Sequence, residues 1–130
     1  MKAKNILIIE DSPTQSAVLA GIVSSLGYEA RVFHNLPRSV SQILSEVTPE
    51  MVLLDLRLLD SDGNSVGDGF QICREVKKLE PETPVIIVSS EDINEAGEWA
   101  KMQGADAFLQ KPFVQEDLKR LIKDLSLAKL

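Results

Sequence analysis

At 130 residues the chain has the length of one domain and can bury a full core; its 44% hydrophobic and 26% charged residues are ordinary for a globular protein. A formal charge of −6 argues against nonspecific nucleic-acid binding, which relies on clustered Lys and Arg, and a single cysteine, Cys73, excludes an internal disulfide. No stretch approaches the roughly 20 apolar residues of a membrane span, and the apolar run that follows the basic start is too short for a signal-peptide core, so a soluble, cytoplasmic domain is expected.

The first apolar run, 6–9 (ILII), reads as a buried strand and ends in two adjacent carboxylates, Glu10 and Asp11. Two like charges about 4 Å apart cost roughly 1 kcal/mol in water and roughly 4 at an effective dielectric near 20, so the pair calls for a cation or a chemical role. A helix follows. Ser12-Pro-Thr-Gln15 reads as a capping box with Pro13 at the first helical position, Val18, Leu19, Ile22, Val23 and Leu26 recur at helical spacing, and Gly27 suits the C-terminal cap. A weaker strand over 29–33 precedes a helix over 37–47 that should bury Val40, Ile43, Leu44 and Val47. The run 51–54 (MVLL) ends in Asp55. A third helix over 68–79 would bury Phe70, Cys73, Val76 and Leu79. The run 85–88 (VIIV) ends in Ser89-Ser90, a helix over 93–103 stops at Gly104, and the run 107–109 leads through Gln110 to Lys111-Pro112. The last helix, 115–128, sets Leu118, Leu121, Ile122 and Leu125 on one face.

Five apolar runs alternating with five helices predict an α/β fold: a doubly wound parallel sheet covered on both faces, forming one domain over 1–130 with no output domain. Ligands of such sheets bind beyond the carboxyl ends of the strands. Glu10, Asp11, Asp55, Ser89 and Lys111, far apart in sequence, should therefore converge on one edge. Grouped carboxylates suit Mg²⁺, lysine and serine can hold phosphoryl oxygens, and an aspartate among them can be a nucleophile that forms an aspartyl-phosphate. The hydroxyl at Ser89 is preferred to Ser90 on the alternation of the strand.

At these residues the sequence resembles the receiver domains of two-component response regulators, on the acidic pair Glu10-Asp11, on Asp55 within LLDLRL, on Ser89 and on GADAFLQKPF. The resemblance covers essentially the whole chain. It implies a flavodoxin-like fold with strand order 2-1-3-4-5, and Asp55 as acceptor of a phosphoryl group from a histidine kinase phosphohistidine or a phosphotransfer protein. It implies Mg²⁺ held by Asp11, Asp55 and the Arg57 carbonyl, with Glu10 acting through water. Lys111 would pair with the phosphate, Ser89 and Phe108 would act as a switch, and the Lys111-Pro112 bond would be cis. The side chains of Arg57 and Glu91 would tune dephosphorylation. A downstream protein would bind the face of the fourth helix, fifth strand and fifth helix, near Trp99, and a homodimer formed on phosphorylation is a further expectation. Such a module is not an enzyme beyond its own phosphorylation and dephosphorylation.

The segment 59–69 departs from that pattern. Asp-Gly occurs twice, at Asp62-Gly63 and Asp68-Gly69, so a polar, lengthened, mobile loop is expected beside the site. Its alternating Asp60, Asp62 and Asn64 suggest a calcium loop, but Ser65 and Gln71 stand where an EF-hand needs glycine and glutamate. Two other functions compete. A Mg²⁺-dependent aspartyl-phosphate phosphatase would place a second aspartate two residues after its nucleophile, where Arg57 stands. A degenerate receiver acting only by protein contact would lack some of the site residues, all of which are present. Cys73 reads as a small buried hydrophobe, and His34 as a loop residue without partners.

Overall fold

The computed structural model describes residues 4–34, 39–55, 57–59, 65–90 and 93–128. Strands β1 (Asn5–Ile9), β2 (Glu29–Phe33), β3 (Met51–Leu54), β6 (Val85–Ser89) and β7 (Ala107–Gln110) form one sheet in the order β2-β1-β3-β6-β7, with every pairing parallel. Counted among themselves these five strands have the expected order 2-1-3-4-5. Helices α1 (Pro13–Ser25), α2 (Val40–Val47), α3 (Gly69–Leu79), α4 (Ile93–Met102) and α5 (Gln115–Ala128) connect and cover them. None of the described helices is long and apolar enough to cross a membrane.

The three inner strands are apolar at almost every position because both faces of the sheet are covered. Leu7, Ile9, Val52, Leu54, Val85 and Ile87 pack with residues of α2, α3 and α4. Their neighbours Ile6, Ile8, Met51, Leu53, Ile86 and Val88 point the other way, toward Leu19, Ile22 and Val23 of α1 and Leu118 and Ile122 of α5. A strand's period of two thus assigns each residue to one of two cores. The same count decides which way a residue just past a strand end points.

Local chemistry sets the helix ends. Ser12 caps α1 by accepting from the Gln15 N–H at 3.3 Å. At its other end the Gly27 N–H donates to the Ser24 carbonyl at 3.0 Å and the Tyr28 N–H to that of Val23 at 3.3 Å, a closure that needs the positive φ of Gly27, +90°. Helix α2 begins at Val40, later than its periodicity suggested, because Ser39 and Gln42 close a reciprocal capping box there. Two apolar positions expected inside lie outside: Val18 is 55% and Leu79 48% exposed. The sheet surface takes only the stripe of α1 through Leu19, Ile22 and Val23, and Leu79 closes α3 at its exposed end.

The lengthened segment corrects the expectation of a plain loop. Arg57–Leu59 forms β4 and Ser65–Asp68 forms β5, an antiparallel pair with Arg57 opposite Asp68 and a register shift between Leu58 and Leu59. Asp60, Asp62 and Asn64 lie outside the described residues.

Candidate functional site

Strand register builds the acidic half of the site. Ile9 pairs with Leu54, and the ladder runs on past both strands: the Glu10 N–H donates to the Phe33 carbonyl at 3.1 Å and the Asp55 N–H to that of Ile9 at 2.9 Å. Glu10 and Asp55 therefore emerge side by side. Both follow a residue of the core packed on α2, α3 and α4, so both turn toward the α1 and α5 face, as does Lys111 two residues beyond Leu109. Carboxylate oxygens of Glu10, Asp11 and Asp55 lie within 4.8 Å of one another.

Lys111 joins them on the same face from beyond the edge strand β7. Its Nζ donates to Glu10 Oε2 at 2.9 Å and to Gln15 Oε1, and stands 4.0 Å from Asp55 Oδ2. The other Glu10 oxygen, Oε1, accepts the Ser12 N–H at 3.3 Å. Glu10 is only 1% exposed. Burial pushes its carboxyl up to about 7, with the nearby Asp55 charge adding to the rise and the Lys111 ammonium opposing it.

Among the described residues, three carboxylates face one ammonium, which leaves an excess of negative charge in a partly buried cleft. Hard oxygen donors in that number and spacing fit a divalent cation such as Mg²⁺. The Arg57 carbonyl belongs to β4, two residues from Asp55. Its side chain and all of Glu91 lie outside what is described.

Ser89 closes β6, is buried, and its carbonyl accepts the Lys111 N–H at 2.7 Å. Ser90 is exposed and lines an apolar groove of about 720 Å³ that runs along Val18 and Ile22 to Phe113 and Lys111. Phe108 sits opposite Ile87 on β7, packs against the core under α4 and borders a cavity of about 300 Å³. By strand alternation Ser89 and Phe108 share that face of the sheet. The Lys111-Pro112 bond is cis. Trp99 is 57% exposed on α4.

Two features escaped the sequence. His34 has a partner after all: its Nε2 lies 3.1 Å from Ser16 Oγ. The Ser16 hydroxyl donates to the Pro13 carbonyl at 3.0 Å, so its one proton is used and His34 Nε2–H is the donor of the shared bond. The second is Gln15, read only as a cap residue but bonded to Lys111. No local pattern signals either, since both partners come from other elements. Cys73 is fully buried, and burial pushes its thiol up to about 11, as an inert core residue requires.

The response regulator receiver domain family matches residues 6–123. Protein PilH of Pseudomonas aeruginosa is 33% identical over 120 residues, covering 90% of this chain and 93% of that protein. The nitrogen assimilation regulatory protein NtrX of Azorhizobium caulinodans is 32% identical over 111 residues, covering 85% of this chain. The chain spans 23% of that protein and 47% of the transcriptional regulatory protein YvcP of Bacillus subtilis, less than half of each. The crystal structure of the receiver domain of NtrX from Brucella abortus superposes with a TM-score of 0.81 at 30% identity, covering 94% of this chain and 98% of that one. The chain belongs to the response regulator receiver domain family of two-component signalling.

Proposed function

We propose that Asp55 is the phosphoacceptor of this receiver and that residues 1–130 work as one domain in the cytoplasm. The observation that carries the reading is the grouping of Glu10, Asp11 and Asp55 within 4.8 Å beside the Lys111 ammonium. A carboxylate oxygen of Asp55 attacks phosphorus. The bond from phosphorus to the imidazole nitrogen of a histidine kinase or phosphotransfer protein breaks, and the imidazole leaves with the electron pair and takes a proton. Lys111 pairs with a phosphoryl oxygen, and Asp11 keeps the cleft anionic enough to attract a cation. When bound, Mg²⁺ would neutralise charge on the transferred group, held by Asp11, Asp55 and the Arg57 carbonyl, with Glu10 acting through water.

Ser89 donates its hydroxyl to the phosphoryl group and Phe108 moves into the space behind it. The change reaches a downstream protein, or a second copy of the chain, through the face of α4, β7 and α5. The shared sheet face of Ser89 and Phe108 supports that coupling. Intact mass after incubation with acetyl phosphate tests the core of the proposal. A single phosphoryl gain that needs Mg²⁺ and is lost in Asp55→Asn is expected. No gain under any condition would make this a degenerate receiver, and a gain that survives Asp55→Asn would mean that another residue is the acceptor.

A further inference from the structure

The pattern Ser-x-x-Gln occurs at the start of two helices and is used in two ways. In α2 the box closes on itself: Ser39 Oγ accepts the Gln42 N–H at 3.4 Å and Gln42 Oε1 accepts the Ser39 N–H at 3.3 Å. In α1 only half of it forms. Ser12 Oγ accepts the Gln15 N–H, but the Ser12 N–H is taken by Glu10 Oε1 at 3.3 Å. The Gln15 amide is released from capping and its Oε1 accepts from Lys111 instead. Its backbone is held by the Ser12 cap and by Pro13, so the acceptor is anchored to a rigid first turn.

The consequence lies at Lys111. An ammonium has three donors. Glu10 Oε2 takes one and Gln15 Oε1 another, while Asp55 Oδ2 stands off at 4.0 Å. We infer that Gln15 is a positioning residue: with Glu10 it orients the Lys111 ammonium so that its third N–H is kept for the phosphoryl oxygen arriving on Asp55. The inference rests on the reading of Asp55 as the acceptor. Gln15 is neutral, so it adds no carboxylate to a cleft that already holds three. A preorganised donor speeds transfer because no reorientation is needed when charge develops.

The test compares Gln15→Leu with Gln42→Leu, each measured for the rate of phosphorylation by acetyl phosphate with Mg²⁺ and for the ¹⁵N resonance of the Lys111 ammonium. Gln15→Leu should slow phosphorylation about three- to tenfold, the size of one typical net hydrogen bond, and should move the Lys111 resonance. Gln42→Leu, which removes the same amide from a purely structural cap, should do neither. A wild-type rate together with an unmoved resonance in Gln15→Leu would overturn the inference. If the wild-type chain takes no phosphoryl group, the function reading fails, and the Lys111 resonance still decides whether Gln15 holds the ammonium.

Discussion

Glu10 is a buried acid whose two oxygens are both engaged, by the Ser12 N–H and by Lys111. Its folded value of about 7 lies above the ordinary 4.5, so its charge costs the fold nothing below about pH 4.5 and progressively more as pH rises through about 7. In Mg²⁺-free buffer, the stability of the wild type minus that of Glu10→Gln should therefore fall across that window, on the order of 3 kcal/mol. Urea unfolding at a series of pH values measures it. A difference that stays flat would mean that Lys111 compensates the buried charge in full. The acid itself was legible in the sequence as the abrupt end of a buried strand. The convergence of Lys111, 101 residues away, on the same edge was legible too, but its direct bond to Glu10 was not, because only the paired sheet fixes which side chains meet.

Helix ends show how local and tertiary requirements combine. Gly27 and Gly104 both end helices with positive φ, +90° and +93°. A methyl at Gly27 would meet open space, whereas one at Gly104 would lie 3.1 Å from Lys77 Cγ. Lys77 is not free to yield, since its Nζ donates to the Thr83 carbonyl and to Asp106 Oδ2, each at 3.0 Å, and that Asp106 oxygen also accepts the buried Val85 N–H at 2.8 Å. Gly27→Ala should cost about 1 kcal/mol from backbone strain alone, and Gly104→Ala about 2–3 kcal/mol. Denaturation midpoints with unchanged slopes would show this order; equal losses would mean that the Lys77 bracket shifts without cost. Both caps were readable from glycine after a periodic run. The β4–β5 pair was not, because segments as short as Arg57–Leu59 and Ser65–Asp68 carry too little alternation to stand out.

For the molecule as a whole, a cation that binds the three acids stabilises the folded state alone, because unfolding disperses residues 10, 11 and 55. Mg²⁺ at a hundred times its dissociation constant should add about 2.7 kcal/mol. Thermal unfolding with and without Mg²⁺ should show a rise in Tm for the wild type and little or none for Asp11→Asn. An equal rise in Asp11→Asn would place the cation elsewhere. The site is thus coupled to the strands that carry it, and both cores contribute, since the sheet holds Glu10 and Asp55 in register only while both its faces are covered.

Hydrophobic period, caps and turn residues are local, which is why the alternation of five apolar runs with five helices, the five-stranded parallel sheet and the acids, hydroxyl and lysine at strand ends could all be read from the order of residues. Packing and pairing are not local. Only the folded chain decided that Glu10, Asp55 and Lys111 share one face, that Val18 of the α1 stripe stays outside, that His34 bonds Ser16, and that Gln15 serves Lys111 rather than its own helix. Each of those outcomes depends on which element lies beside which, and sheet register settles that only once the strands have paired.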